Sequence, residues 1–329
     1  MPRRALICGV SGQDGSYLAQ LLLNKDYAVF GSSRDAQLNS FENLTRLGIK
    51  ERIQLVSVSL TDFRSVLQAL TRIEPDEVYN LAGQSSVALS FDQPVETMDS
   101  IARATLNLLE ALRFTKQATR LYNACTSECF GDIGTAPADE SFPFHPRSPY
   151  AVAKATSFWE VANYREAYGL HSCSGILCNH ESPLRPPRFV TRKIVSTACR
   201  IAHGSPEKLR LGNMQIHRDW GWAPEYVDAM WRMLQLDTPE DFVIATGESR
   251  GLEEFVAEAF KCFDLDWREF VVQDPALYRP SDLPSSCANP AKAKRILGWS
   301  AELRMKEVVQ EMARAERAVM VGADGPRTA

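Results

Sequence analysis

The chain has 329 residues, 45% hydrophobic and 24% charged, and its 37 Lys and Arg against 41 Asp and Glu leave a net charge of −4. That length suits two domains or one large α/β unit with an added lobe, and the balance excludes disorder, collagen and coiled coil. A slightly acidic chain without an apolar run near the ~18 residues of a membrane span argues against a nucleic-acid binder and against a membrane protein. The opening Met1-Pro2-Arg3-Arg4 leads into an apolar run too short for a secretory signal, and the eight cysteines contain no CxxC pair. They read as reduced, small apolar fillers in a cytoplasmic protein, with no metal expected.

In chain order, a strand over 5–8 leads through a glycine turn into a helix carrying Tyr17, Leu18, Leu21 and Leu22. Strands over 27–31 and 53–58 follow, then a helix over 61–72 with Phe63, Val66, Leu67 and Leu70 on one face. A fourth strand over 77–81, a helix over 100–112, a fifth strand over 121–124, a helix over 149–168 and a sixth strand over 172–177 complete the series. This alternation predicts an α/β fold, a doubly wound parallel (Rossmann) sheet whose ligands lie outside the carboxyl ends of its strands. After Asn179 prolines break the chain into shorter pieces. Residues 1–178 therefore read as a dinucleotide-binding domain and 179–329 mainly as a smaller mixed α/β substrate-binding lobe. A strand over 242–245 is expected to return to the first domain, and 322–329 reads as a frayed tail.

The glycine turn is Gly9-Val10-Ser11-Gly12-Gln13-Asp14-Gly15, a GxxGxxG pattern directly after a strand and opening a helix. Glycines let the backbone approach a pyrophosphate, while free N–H groups at the helix start face its charge. An ordinary strand–helix turn is the bland alternative; the flanking elements favour the phosphate site. At the end of the second strand, Ser32-Ser33-Arg34-Asp35, an acid would favour a free ribose 2′-hydroxyl and an Arg a 2′-phosphate. The serines and Arg34 lean toward NADP, Asp35 leaves NAD open, and a solvated loop charge is the competing role for Arg34.

Tyr150 and Lys154 stand at i and i+4 of one helix face, where the ammonium is expected to bring the phenol's pKa down toward neutrality. Thr126-Ser127-Glu128 follows the fifth strand: two hydroxyls able to bind a sugar oxygen, and a carboxylate able to remove a proton beside a carbonyl. A helix N-cap is the structural alternative for that cluster.

Together with Asn80-Leu-Ala-Gly-Gln-Ser85, these motifs resemble the extended short-chain dehydrogenase/reductase family. Asn179-His-Glu-Ser-Pro183, Val190-Thr-Arg-Lys193, Leu211-Gly-Asn213, Arg218-Asp-Trp-Gly221 and Tyr278-Arg-Pro280 narrow the resemblance to GDP-mannose 4,6-dehydratases, over nearly the whole chain. The resemblance implies that Tyr150 takes the proton of the sugar 4-hydroxyl while hydride passes from C4 to NADP⁺. Glu128 then removes the C5 proton and protonates the departing 6-hydroxyl so that water leaves, and the hydride returns to C6 and a proton to C5, giving a 4-keto-6-deoxy sugar. Thr126 would hydrogen-bond O4, and Lys154 the cofactor ribose. Cofactor contacts are implied at Gly9, Ser11, Gly12, Gln13, Asp14, Gly15, Arg34, Ser59, Leu60, Leu81, Ala82, Gly83, Gln84, Ser85, His180 and Arg185. Contacts to the GDP-sugar are implied at Ser85, Ser127, Asn179, Lys193, Leu209, Gly212, Arg218, Arg279 and Asp282, the last standing where the family usually has Glu.

The chain departs from the family pattern at Asp35 for a second Arg, in the segment Ala36–Phe41 after it, at Ser59 for Asp, at Gly83 for Ala, and in the stretch 283–287. They bear on cofactor grip, on the expected homodimer or homotetramer, and on the exact sugar, a GDP-heptose among them. The rival readings are a nucleotide-sugar epimerase or 4-keto reductase of the same fold, and a catalytically silent cofactor-binding regulatory protein. Neither rival needs the carboxylate of Glu128.

Overall fold

The structure is a computed structural model that describes residues 2–134 and 136–323. Its centre is a seven-stranded sheet whose neighbouring strands all pair in parallel. Six of the strands are β1 (Arg4–Cys8), β2 (Ala28–Ser33), β3 (Gln54–Ser57), β4 (Glu77–Asn80), β5 (Arg120–Thr126) and β6 (Ser172–Leu177). The order across the sheet is Phe242–Ile244, β6, β5, β4, β1, β2, β3. The strand Phe242–Ile244 thus returns to the edge beside β6, in register Phe242↔Gly175.

Helices cover both faces, so strand residues on either side are apolar. In β1, Ala5 and Ile7 pack with Leu18 and Leu22 of the helix Gln13–Asn24, while Leu6 and Cys8 pack with Val66, Leu70 and Leu108 on the other face. The helix over 61–72 in the sequence reading is Phe63–Ile73, started by the Asp62 side chain, which accepts from the N–H groups of Arg64 and Ser65. The helix expected from residue 100 begins earlier, at Pro94, and runs through a π-helical turn, Asp99–Arg103, into Ala104–Thr115. Helix Pro149–Tyr168 begins at Ser148, whose hydroxyl accepts from Ala151 N–H at 3.1 Å, and ends at Gly169 with φ +67°.

A separate apolar cluster joins helices Val190–Ala202, Leu252–Lys261 and Met305–Ala323, through Ile194, Ala198, Phe255, Phe260, Val309 and Met312. Three two-stranded pairs line its approach to the sheet, among them Asn179–Glu181 with Trp220–Trp222 and Leu209–Leu211 with Val271–Gln273. Residues 324–329, the greater part of the expected tail, lie outside the described residues. Among the described residues no helix is long and apolar enough to cross a membrane.

Candidate active site

A cleft of about 380 Å³ opens at the carboxyl ends of β4, β5 and β6 and reaches across to the segments after Asn179. Thr126, Glu128, Tyr150 and Lys154 all line it. β5 continues two residues past the expected 121–124, because Cys125 and Thr126 keep pairing with Ile176 and Leu177. The chain then tightens into the 3₁₀ turn Ser127–Phe130. Thr126 is the cap of that turn, its hydroxyl accepting from Glu128 N–H at 3.3 Å. The capping role expected as an alternative therefore belongs to Thr126 alone. The Glu128 carboxylate faces the cleft, 3.9 Å from Nε of Arg218.

Lys154 is buried, and its ammonium donates to the Ala124 carbonyl at 2.7 Å while lying 6.0 Å from the centre of the Tyr150 ring. Burial lowers its pKa, against the sulfurs of Cys125 and Cys129 and the Asp14 carboxylate. The expected lowering of the phenol is not found. Burial pushes Tyr150 well above the ordinary tyrosine value, Cys129, Cys125 and Glu128 add to the rise, and only the Thr126 hydroxyl opposes it. Desolvation of the buried ring is the largest cause, and it outweighs what an i, i+4 spacing alone suggests.

At the glycine turn, Gly9 has φ +86°, and a Cβ on Gly15 would stand 2.3 Å from the Gly9 carbonyl oxygen. Helix Gln13–Asn24 starts there with no side-chain cap on its first N–H groups. Of the turn, Asp14 lines the cleft directly. Gln13 turns inward instead, donating to the His180 carbonyl and accepting from the Ser182 hydroxyl at 2.7 Å. His180 is fixed at both ring nitrogens, by the Cys178 carbonyl at 2.7 Å and Asp14 at 2.9 Å, and stacks on Tyr226. Burial pushes the Asp14 carboxyl up, but His180, Arg185 and Gln13 together bring it down to about 2.

Farther out, Asp35 folds its carboxylate onto the N–H groups of Gln37 and Leu38, at 2.9 and 3.0 Å. The Arg34 side chain is 87% exposed, 3.8 Å from Glu96. Ser59 hydroxyl contacts Thr61, and the Leu60 carbonyl accepts from Asn107. Leu81 and Ser85 line the cleft, whereas Ala82 and Gly83 lie behind it against Gly9 and Ile101. Gly83 has φ +122°, a conformation that the family's usual Ala would strain to adopt. Gln84 turns its amide onto Ser86 and Thr97.

On the opposite wall, Asn179, His180, Arg185, Lys193, Gly212, Arg218, Arg279 and Asp282 line the cleft. Ser127 does not; its hydroxyl meets Ser286 at 3.5 Å. Leu209 is buried beneath the wall, and Leu211 and Asn213 reach the cleft in its place. Arg218 is 4% exposed and donates to the carbonyls of His217 and Leu283 and to Asp282 at 3.0 Å. Asp282 also faces Arg279 at 3.4 Å. The sequence reading passed over Glu181, Arg188, Thr191, Arg210 and Trp220, which line the cleft as well. Glu181 lies in a motif already singled out, and its burial between Arg185 and Thr191 was the missing signal.

A single cleft holding a phenol, an ammonium and a separate carboxylate beside a glycine turn defines a Rossmann-fold enzyme of the type that works on a sugar held against a dinucleotide. A family model described as GDP-mannose 4,6 dehydratase matches residues 6–312. The chain belongs to the GDP-mannose 4,6-dehydratase family, a family of hydro-lyases. GDP-mannose 4,6 dehydratase 2 of Arabidopsis thaliana is 44% identical, covering 94% of this chain and 86% of the relative. GDP-mannose 4,6-dehydratase of Vibrio cholerae is 42% identical over 95% of this chain and 93% of its own. Among solved structures, UDP-glucose 4-epimerase from Thermotoga maritima superposes with a TM-score of 0.86 at 22% identity, covering 96% of this chain and 99% of that one. dTDP-glucose 4,6-dehydratase from Bacillus anthracis superposes at 0.84 with 17% identity, covering 96% and 97%. These two likenesses concern the fold.

Proposed function

We propose that this chain is a nucleotide-sugar 4,6-dehydratase that converts GDP-mannose to GDP-4-keto-6-deoxymannose with a resident nicotinamide dinucleotide, NADP. The reading rests on Glu128: a second proton-transfer group, distinct from Tyr150 and Lys154 yet in the same cleft. An epimerase or a 4-keto reductase has no step at C5 and C6 for it to serve.

The uncapped helix start at Gln13, the positive φ of Gly9 and the close packing at Gly15 suit a pyrophosphate. Asp35 is occupied by its own loop, so the exposed Arg34 is the charge at the strand tip available to a 2′-phosphate. When bound, the dinucleotide supplies a reversible hydride acceptor for C4 and C6 of the sugar. Tyr150 takes the 4-hydroxyl proton once the charge of a bound ligand offsets the burial that raises its phenol, with Thr126 holding O4 and Lys154 the ribose. Glu128 takes the C5 proton and delivers it to the leaving 6-hydroxyl, which departs as water, and a proton returns to C5 as C6 is reduced. Arg218 and Arg279, shared by Asp282, hold the diphosphate, with Lys193 and Asn179 on the same wall. Residues 1–178 serve the dinucleotide and the later chain mainly the sugar nucleotide. Exposed Trp159 and Tyr168 on one helix, and Val95 and Phe114 beside it, support a homo-oligomer that would cover them.

Incubation with GDP-mannose and catalytic NADP⁺ should yield a product lighter by one water, with no build-up of reduced cofactor. Stoichiometric NADPH consumption, or an isomer of unchanged mass, would replace this reading with the reductase or the epimerase. Glu128→Gln should lower elimination by roughly 10²–10⁴-fold while nucleotide binding changes only a few-fold; unchanged turnover removes Glu128 from the mechanism.

A further inference from the structure

We propose that Cys125 and Cys129 form an oxidisable dithiol, a modification site that a hydroperoxide closes to a disulfide and that disables the cleft around Glu128. The chemistry at sulfur stands by itself; only its effect on turnover rests on the function proposed above.

Cys125 is the penultimate residue of β5 and lines the cleft, while Cys129 lies in the following 3₁₀ turn. Their sulfurs are 3.7 Å apart. Each otherwise has only weak partners: Cys129 faces the Ala151 carbonyl at 3.5 Å, and Cys125 those of Lys154 and Thr126 at 3.9 and 4.0 Å. Nothing strong therefore holds the two sulfurs apart. The residues between them are Thr126, Ser127 and Glu128. The dithiol thus brackets the segment that carries both the O4 hydroxyl and the elimination carboxylate.

Cys125, on the cleft wall, meets the oxidant first. Burial holds the Cys129 thiol well above its ordinary pKa, so it waits protonated behind the wall. The Cys125 sulfur attacks one peroxide oxygen, the O–O bond breaks, and water leaves a sulfenic acid. The Cys129 sulfur then attacks the Cys125 sulfur, the S–O bond breaks, and a second water departs. Two thiols lose two electrons and two protons, and one peroxide becomes two waters.

A disulfide needs its sulfurs about 2.0 Å apart, against 3.7 Å here, so the five-residue loop must contract. That contraction disturbs the hydrogen bond from Glu128 N–H to the Thr126 hydroxyl, which sets the turn. Displacement of a reacting group by ~1 Å is enough to cost on the order of 10²-fold in rate.

The test uses the reduced full-length protein and stoichiometric hydrogen peroxide. Tryptic cleavage after Arg120 and Arg147 releases a peptide holding Cys125 and Cys129 and no other cysteine. That peptide should become lighter by two hydrogens and refuse iodoacetamide. Dehydration of GDP-mannose should fall about 100-fold in step with it and return with dithiothreitol. Cys129→Ser should turn over like the parent before oxidation and resist inactivation. If that variant folds poorly, the mass and alkylation of the parent peptide still decide, since they need no substrate. Two alkylatable thiols persisting in an oxidised protein, a cross-link without loss of turnover, or Cys129→Ser failing as fast as the parent would each overturn the proposal.

Discussion

The two walls of the cleft are held by different forces. The wall at the sheet edge is set by backbone geometry: parallel strands buried on both faces, a glycine at φ +86°, a helix packed within Cβ distance of the turn. The opposite wall is made of strands two or three residues long, and charge pairs hold it: Arg185 with Glu181 at 2.8 Å, Arg218 with Asp282 at 3.0 Å, Arg210 with Asp274 at 3.0 Å. A short strand contributes few ladder bonds, so ion pairs help fix its place, the first two largely buried and Arg210 of the third exposed. Added bulk at the glycine turn and loss of a buried charge on the opposite wall are therefore the changes that test each.

The largest expected break in that contrast is at Glu181. It is 2% exposed, takes a two-pronged contact from Arg185 and accepts from the Thr191 hydroxyl at 2.7 Å. Glu181→Ala leaves the largely buried Arg185 without its carboxylate, with only the His180 carbonyl still accepting from it, and should cost about 3 kcal/mol, read as a shift in the urea midpoint. A loss under ~1 kcal/mol would mean that water reaches Arg185 and that the wall does not depend on the pair. Next comes Gly15→Ala on the sheet wall. Its Cβ would meet the Gly9 carbonyl oxygen at 2.3 Å and Val10 Cα at 2.7 Å. The helix must move, at about 1–3 kcal/mol, with dinucleotide affinity falling in parallel. Full dinucleotide affinity in that variant would show that the turn can open without harm.

The same contrast explains what the sequence made legible. Helix Pro149–Tyr168 and strand β6 agree with the expectation to the residue, because Ser148, Pro149 and Gly169 punctuate them. The helix read from residue 100 starts at Pro94 because the π turn Asp99–Arg103 shifts the periodicity between its halves. Thr126 and Glu128 could be named because they stand at a strand end, and Tyr150 and Lys154 because they form an i, i+4 pair at the start of a helix. Glu181, Arg188 and Arg210 could not: Arg210 meets an Asp 64 residues away, a pairing that only the fold creates. The phenol's pKa went the wrong way for a related reason, since spacing along a helix carries the cation but not the desolvation.

Asp14 joins the walls, reaching from the glycine turn to His180. Its carboxyl, at about 2 rather than 3.8, is depressed in the folded chain. It should therefore add about 2 kcal/mol above its unfolded pKa, a contribution lost as pH falls from ~4 toward 2. Urea midpoints of the parent and Asp14→Asn should differ at pH 5 and converge as the acid limb is descended. A gap that stays constant down that limb would mean that the carboxylate's charge is not what joins the walls.

The smallest effect expected is the most informative about the sheet wall's outer end. Arg34 is 87% exposed, so its removal should leave stability unchanged. Its guanidinium can still form charge-assisted hydrogen bonds to a ribose 2′-phosphate, worth about tenfold in binding at a solvated position. Asp35 cannot cancel that contact while its carboxylate accepts from Gln37 and Leu38. Arg34→Ala should thus lower NADP⁺ affinity about tenfold and leave NAD⁺ affinity as it was, as measured by titration calorimetry. Equal weakening of both would place Arg34 on the shared pyrophosphate or adenosine. No change in either would make it a loop charge and return the 2′-position to the serines at the end of β2.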